Sequence, residues 1–264
     1  MRFSVIASSR SAHQLSHQDA MAEGLTKLGV EVEVGHSVNP KNKFVACWGW
    51  RHGASLRAQG HEVLVMERGY LGDRFSWTSL GWNGLNGYAE FPCYPGGGRF
   101  NLHHQMKPWR DAPGEYVLIM GQVPGDASLR GRNMTPWYEA SAVFAAESYG
   151  LPVHFRPHPV AEKKGHRIHP RHTVMSKGAL EEALLGAHVV ITYNSNSAVD
   201  AVLAGVPAVT MDKGSMARPV AAHNIGELVK PDRTEWAEQL AWKQWTMDEI
   251  RSGEALNGLL GMKI

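Results

Sequence analysis

The stretch HVVITYNSNSAVDAVLAGVPAV, residues 188–209, decides the fold. It begins with a run of β-branched apolar residues, which is typical of a buried strand, and passes through a polar turn into an apolar helix that ends at Gly205. A second short strand follows from Pro207. A strand, a helix and a strand at this spacing are typical of a parallel sheet covered by helices. The stretch therefore predicts an α/β fold.

The same alternation recurs along the rest of the chain. In the first part, strands are predicted at residues 2–7, 30–35, 43–49 and 61–67, and helices at 17–28 and 54–58. In the second part, strands are predicted at residues 116–122, 152–156, 188–193 and 207–211, and helices at 137–149, 178–185 and 198–203. No GxGxxG fingerprint follows the first strand, so the sequence does not indicate an NAD site.

The polar stretch Asn101–Glu115 contains two prolines, which favours a linker. We therefore expect two Rossmann-like domains that face a cleft, at residues 1–110 and 111–264. The run after Asp232 is amphipathic and is predicted to form a C-terminal helix that packs back across the molecule.

The composition narrows the class of protein. The 264 residues carry 27 Lys and Arg against 25 Asp and Glu, a net charge of +2, which argues against coating nucleic acid by charge alone but permits a local basic face. Cys47 and Cys93 have neither metal-binding nor disulfide spacing, so a reducing compartment is expected. The apolar run at the N-terminus is too short for a signal peptide, and no stretch is long enough for a membrane span. A cytosolic protein without a cofactor is predicted.

The stretch from Glu67 to Phe100 is rich in Gly, Trp, Tyr and Asn and has no helical period. It is either an irregular connection or a functional loop region. Its large aromatic residues either stack on an acceptor or pack beneath the loops; they are Trp77, Trp82, Tyr88 and Tyr94.

Three predicted strands of the second domain end in polar groups. The segments are GQVPGDAS (121–128), RPHP (156–159) and YNSNSAVD (193–200). Because ligands bind at the carboxyl ends of strands in open parallel sheets, these groups are expected to converge on the diphosphate and nucleoside of an activated sugar. The donor-binding candidates are Gln122, Ser128, Arg156, Tyr193, Asn194, Ser195, Asn196, Ser197 and Asp200.

The turn before the third helix suits an anion. Ser195 and Ser197 can donate hydroxyl groups to a phosphate at this helix start, or one of them is simply the helix cap. Asp200 accepts from ribose hydroxyls, or it is a first-turn acid that the helix dipole stabilises.

Asp126 and His158 are the predicted catalytic residues. His158 can donate to the phosphate of the leaving nucleotide, while Arg156 pairs with that phosphate or with a structural acid. Asp126 can act as general base or as nucleophile; the alternative is a turn residue in PGDAS.

The segments GQVPGDAS, FRPHP and TYNSNSAVDAVLAGVPAV resemble those of bacterial capsule polysaccharide biosynthesis proteins, the β-Kdo glycosyltransferases. Trp48-Gly49 and the segment Glu67–Tyr70 resemble that family more loosely, and Arg68 stands where the family has an acid. The resemblance implies a GT-B fold and a metal-independent transferase. It also implies that Asp126 is the catalytic carboxylate, that His158 and the Ser195/Ser197 turn bind phosphate, and that Asp200 contacts the ribose.

The acceptor is assigned to the first domain, with candidate contacts at Ser9, Arg10, Trp50, Arg51, Glu67, Arg68, Tyr70, Asp73 and Arg74. It is a polysaccharide or, since the compact chain and its aromatic stretch also resemble phage-encoded glycosyltransferases, a hydroxymethylated pyrimidine in DNA. CDP-glycerol glycerophosphotransferases and sugar-nucleotide epimerases are alternative enzyme classes. A non-catalytic sugar- or nucleotide-binding module is a third possibility.

Overall fold

The computed structural model describes residues 1–94 and 96–263. In chain order its strands are β1 (Arg2–Ile6), β2 (Glu31–Gly35), β3 (Phe44–Trp48), β4 (Glu62–Arg68), β5 (Thr78–Trp82), β6 (Tyr116–Met120), β7 (Val153–Arg156), β8 (Val174–Met175), β9 (Ala187–Thr192), β10 (Ala208–Thr210) and β11 (Gln244–Trp245). Its α-helices are α1 (Ala12–Lys27), α2 (Trp50–Ala58), α3 (Arg99–His103), α4 (Thr135–Tyr149), α5 (Pro159–Lys163), α6 (Leu180–Gly186), α7 (Ser197–Leu203), α8 (Thr234–Ala241), α9 (Met247–Ser252) and α10 (Asn257–Gly261).

The chain forms two compact units. Unit 1 comprises Met1–His104 and Ala237–Ile264, and unit 2 comprises Gln105–Trp236. The predicted ranges 1–110 and 111–264 differ from these units chiefly at the C-terminus, because the chain returns to unit 1 after Trp236. The run that was predicted as one C-terminal helix is divided among α8, β11, α9 and α10.

Unit 1 contains a six-stranded sheet in the order β11-β5-β4-β3-β1-β2. Strands β1 to β4 are parallel, whereas β5 runs antiparallel to β4 and β11 antiparallel to β5. Helix α1 starts earlier than the predicted residue 17, because Ser11 is its cap and accepts a hydrogen bond from the Gln14 backbone N–H at 3.3 Å. The helix thereby gains a first turn that includes His13.

The aromatic stretch 67–100 is more regular than expected. It contains β5, which is buried throughout, and Trp82 at the end of that strand is 0% exposed. The Trp82 indole N–H donates to the carbonyl of Leu259 at 2.9 Å, and Tyr94 stacks on Trp242 with ring centroids 5.3 Å apart. For Trp82 and Tyr94 the packing interpretation is therefore the correct one.

Unit 2 contains a five-stranded parallel sheet in the order β10-β9-β6-β7-β8. The chain starts at the central strand β6, adds β7 and β8 on one side, and then returns to add β9 and β10 on the other. The strand order thus reverses between β6 and β9, which is the topological switch point where ligands bind in open α/β sheets. Val117 and Ile119 of β6 pack toward α4, and Leu118 packs toward α6.

No helix within the described residues is both long enough and apolar enough to cross a membrane.

Candidate functional site

A pair of buried side-chain amides occupies the switch point of unit 2. Gln122 follows β6 and Asn194 follows β9, and they are 7% and 2% exposed. The Gln122 Nε2 group donates to Asn194 Oδ1 at 2.8 Å, while the Asn194 backbone N–H donates to Gln122 Oε1 at 3.2 Å. Because both hydrogen bonds are buried away from water, they fix the two strand ends against each other.

The same asparagine extends this network to two further loops. Its Nδ2 group donates to the carbonyl of Ser128 at 2.9 Å and to Asp212 Oδ1 at 3.1 Å. Asp212 follows β10 and also accepts from the Gly214 backbone N–H at 2.9 Å. Asn194 therefore connects the chain after β6, β9 and β10. The sequence interpretation omitted Asp212; the signal for it was an acid directly after the predicted strand at residues 207–211.

Asp126 is exposed and caps the 3-10 turn Ala127–Leu129. Its Oδ1 atom accepts from the Ser128 backbone N–H at 2.9 Å and from the Ser128 hydroxyl at 2.6 Å. Oδ1 therefore has the structural role that was expected of a turn residue. Among residues 1–94 and 96–263, no hydrogen bond to the other carboxylate oxygen, Oδ2, is formed. The carboxylate is held in one orientation and keeps one oxygen for a ligand.

His158 is half-buried and caps the short helix α5. Its Nδ1 atom accepts from the Val160 backbone N–H at 3.1 Å. An accepting Nδ1 carries no proton, so the proton of the neutral ring is on Nε2. The cap therefore selects the tautomer in which Nε2–H is a hydrogen-bond donor.

Arg156, at the end of β7, bonds to backbone carbonyls of a neighbouring loop. Its guanidinium donates to the carbonyl of Gly178 at 2.7 Å and to that of Lys177 at 3.4 Å. These bonds hold the loop after β8 beside the end of β7.

The turn that leads into α7 contains both predicted serines. The Ser197 backbone N–H and hydroxyl donate to Ser195 Oγ, at 3.3 and 2.8 Å. Ser195 is thus the cap of this turn. Asn196 and Asp200 are half-buried at the start of α7, and the Tyr193 ring lies 5.6 Å from the Trp137 ring.

The predicted acceptor residues of unit 1 follow three neighbouring parallel strands. Ser9 and Arg10 are exposed after β1. Trp50 and Arg51 start α2 after β3, and Glu67 and Arg68 end β4. The Trp50 backbone N–H donates to Glu67 Oε1 at 3.4 Å, which connects the last two groups.

Tyr70 was predicted to contact the acceptor, but the structure buries it. It is 2% exposed, and burial raises the pKa of its hydroxyl group. Its side chain is therefore part of the core.

An aromatic and cationic stack lies at this edge of unit 1. The Arg68 guanidinium is 5.3 Å from the centroid of the Trp48 ring and 4.5 Å from that of Phe75. Phe75 is 76% exposed. Asp73 accepts from the Phe75 backbone N–H at 3.0 Å and from the Ser76 hydroxyl at 2.7 Å, so the loop is ordered around it, and Arg74 is half-buried.

Two histidines on α1 complete this cluster, and sequence reasoning missed them. The rings of His13 and His17 are 4.2 Å apart and lie 4.3 and 4.6 Å from the Trp48 ring. His17 bonds through Nε2 to the Thr78 hydroxyl at 2.8 Å and through Nδ1 to the carbonyl of His13 at 2.8 Å. Their signal was the spacing of four residues, which places both on one helix face.

Both rings favour the neutral state. Burial, with the charges of His17 and Arg68, lowers the pKa of His13 to about 4. The pKa of His17 is also lowered, mainly by burial. His13 Nε2 is buried without a hydrogen-bond partner among the described residues.

The two Rossmann-like units place the chain in the α/β, GT-B-like fold class, as the sequence predicts. Solved structures with a similar fold include two of KpsC from Thermosulfurimonas dismutans. The β-Kdo 2,4 transferase has a TM-score of 0.59 at 15% identity, over 93% of this chain and 92% of that chain. The β-Kdo 2,7 transferase has a TM-score of 0.58 at 14% identity, over 99% of each chain. At this identity the similarity is one of fold.

No protein-family model matches the sequence, and no curated protein matches it. In the part of the chain that the structure describes, no three His, Cys, Asp or Glu side chains are grouped to hold a metal ion.

Proposed function

We propose that the protein is a metal-independent glycosyltransferase that moves a sugar from a nucleotide-sugar donor to an acceptor hydroxyl. The observation that carries the proposal is the polar network of Gln122, Asn194 and Asp212 at the switch point of unit 2. A network of this kind preorganises the loops around it, and the switch point is where nucleotides bind in this type of sheet. The KpsC-like fold and the resemblance of the three strand-end motifs support the same class.

The donor side is divided between residues that contact the donor and residues that position them. His158 Nε2–H and the serine turn donate to the diphosphate, and Asp200 accepts from the ribose. Gln122 and Asn194 are buried, so they act by holding these loops. Arg156 has the same role for the loop after β8.

Asp126 supplies the catalytic carboxylate. Ser128 holds Oδ1, and Oδ2 either takes the proton of the acceptor hydroxyl or attacks the anomeric carbon, with release of the nucleoside phosphate in both cases. The first route inverts the anomeric configuration in a single displacement, and the second retains it through a glycosyl ester. The configuration of the product therefore distinguishes the two roles.

The acceptor side is assigned to the carboxyl edge of unit 1. An ordered and exposed ring such as Phe75, with a guanidinium stacked on it, suits the face of a sugar or of a nucleobase. A polysaccharide hydroxyl and a hydroxymethylated pyrimidine in DNA, the acceptor of a phage-encoded enzyme, are the two acceptors that we propose.

A thermal-shift panel of CMP, UDP, GDP and CDP sugars tests the donor assignment. A ligand at about 100 times its dissociation constant stabilises the folded state by about 2.7 kcal/mol, so one nucleotide class should raise the melting temperature clearly. Free monosaccharides are the control. An unchanged melting temperature with all four nucleotide classes would contradict the proposal.

A further inference from the structure

A basic segment, Lys163–Lys177, lies between the RPHP turn and α6 and accounts for the positive net charge of the chain. It contains five Lys and Arg residues and three His residues, and no Asp or Glu. The whole chain has 27 Lys and Arg against 25 Asp and Glu. Without the segment it has 22 against 25, so the rest of the chain is negative.

The charges of this segment are exposed and largely unpaired. All five Lys and Arg residues are exposed. Arg171 forms an ion pair with Glu139 at 3.5 Å. Arg167 donates to the backbone carbonyl oxygens of Glu162 and His166, which carry no net charge and leave the charge of Arg167 uncompensated. The side chains of Lys163, Lys164 and Lys177 have no hydrogen bond or ion pair to any described residue. Four cations are thus available to an anionic partner.

The segment lies along the outer border of the unit 2 sheet. Strand β8 is the edge strand and is parallel to β7, so the chain between α5 and β8 must return from the carboxyl edge to the amino edge. Lys177 then follows β8 at the carboxyl edge. Edge strands are often protected by a single charged residue, and a two-residue strand needs little protection. The number and extent of these cations point to a ligand with repeated negative charges.

We propose that the basic segment binds the phosphate backbone of a nucleic acid. Closely spaced phosphates attract exposed Lys and Arg side chains, and this attraction needs no particular base sequence. An anionic membrane is a poorer match, because interfacial segments insert Trp, Phe or Leu, and the basic segment contains none of these. The rest of the chain has a net negative charge, so the attraction to phosphates is expected to be strongest at this segment. The inference extends the proposed function, because it gives DNA, one of the two proposed acceptors, a binding surface in unit 2, while binding itself requires neither donor nor transfer.

Fluorescence anisotropy with a labelled DNA duplex of about 20 base pairs, and with one of its single strands, tests the proposal between about 50 and 200 mM salt. The variant Lys163→Gln/Lys164→Gln/Lys177→Gln removes three positive charges without breaking a side-chain hydrogen bond or ion pair. The variant Lys41→Gln/Lys43→Gln/Lys107→Gln is the control, because these exposed lysines lie outside the segment and the charge change is the same. The segment variant should bind on the order of tenfold more weakly at low salt, and its log–log salt slope should be smaller by about 2.7.

Three results would overturn the proposal. The first is that neither nucleic acid binds at the lowest salt, and the second is that the two variants bind equally well. The third is binding to phosphatidylglycerol vesicles through the same lysines without competition by DNA.

Nucleotide-sugar thermal shifts on the segment variant separate this inference from the proposed function: lost DNA binding with retained nucleotide shifts supports both. DNA binding in a protein that no nucleotide stabilises supports this inference alone.

Discussion

The carboxyl edges of the two sheets differ in chemistry, although each sheet is built around parallel strands. In unit 2 the edge is braced by buried amides and a carboxylate, with Asn194 at the centre. In unit 1 the edge is a stack of rings, with His13 and His17 against Trp48 and with Arg68 between Trp48 and Phe75. The first arrangement depends on hydrogen bonds and the second on ring contacts.

This difference corresponds to two kinds of ligand group. Directed N–H and O–H donors recognise phosphate and hydroxyl oxygens, which have defined lone pairs. Ring faces and a stacked guanidinium recognise planar or apolar surfaces and tolerate more variation. This difference in chemistry fits the proposed donor site in unit 2 and the proposed acceptor site in unit 1.

The largest expected effect comes from the unit 2 edge. Asp126→Asn should lower kcat by roughly 10²- to 10⁴-fold, because the amide neither accepts a proton nor forms the ester. Nucleotide thermal shifts should persist. Glu67→Gln in unit 1 should mainly raise the KM for the acceptor. Asp111→Asn is the control, because Asp111 is an exposed acid of unit 2 outside the proposed site. Steady-state kinetics measure all three; equal losses of kcat in Asp126→Asn and Glu67→Gln would break the comparison.

A smaller effect is expected on stability. Asn194→Ala leaves Gln122 and Asp212 without their buried partner, which should reduce the free energy of unfolding by about 1–3 kcal/mol. Denaturant unfolding measures this change. Asn101→Ala, an exposed residue of α3, is the control. If both variants unfold at the same denaturant concentration, the amide network does not stabilise unit 2.

The smallest effect is a pH dependence in unit 1. The pKa of His13 is about 4 in the folded protein and near 6.5 when unfolded, so the unfolded chain binds the proton first. The contribution to stability is complete above pH 6.5 and is lost as the pH falls toward 4. His13→Phe keeps a ring against Trp48 and removes the titration, so its melting temperature should fall less over this range.

The control for the pH experiment is His52→Phe, an exposed position in α2. It should keep the acid sensitivity of the unsubstituted protein. An unchanged pH dependence in His13→Phe would show that the ring cluster does not disfavour the protonated state.

Much of this architecture follows from local sequence. Five strands can be predicted from their apolar runs, because a strand that is buried on both faces is apolar throughout; they are β1, β3, β4, β6 and β9. The turns at Asp126 and Ser195 can be predicted from the sequence because each side chain caps the backbone N–H two residues further on. Local sequence left open whether such a residue is only a turn residue, because a cap and a ligand contact use the same polar atoms.

Sequence alone determined the α/β class and the polar groups at the strand ends, since both depend on neighbours along the chain. Only the tertiary structure decided the connections over long separations. Asn194 meets Gln122 and Asp212 because β9 lies between β6 and β10 in the sheet. His13 and Arg68 both contact the Trp48 ring, because β3 and β4 are neighbouring strands and α1 packs against β3. The placement of Trp82 and Trp245 in the unit 1 core was decided in the same way. Strand order and long-range packing set these contacts, and no local pattern encodes them.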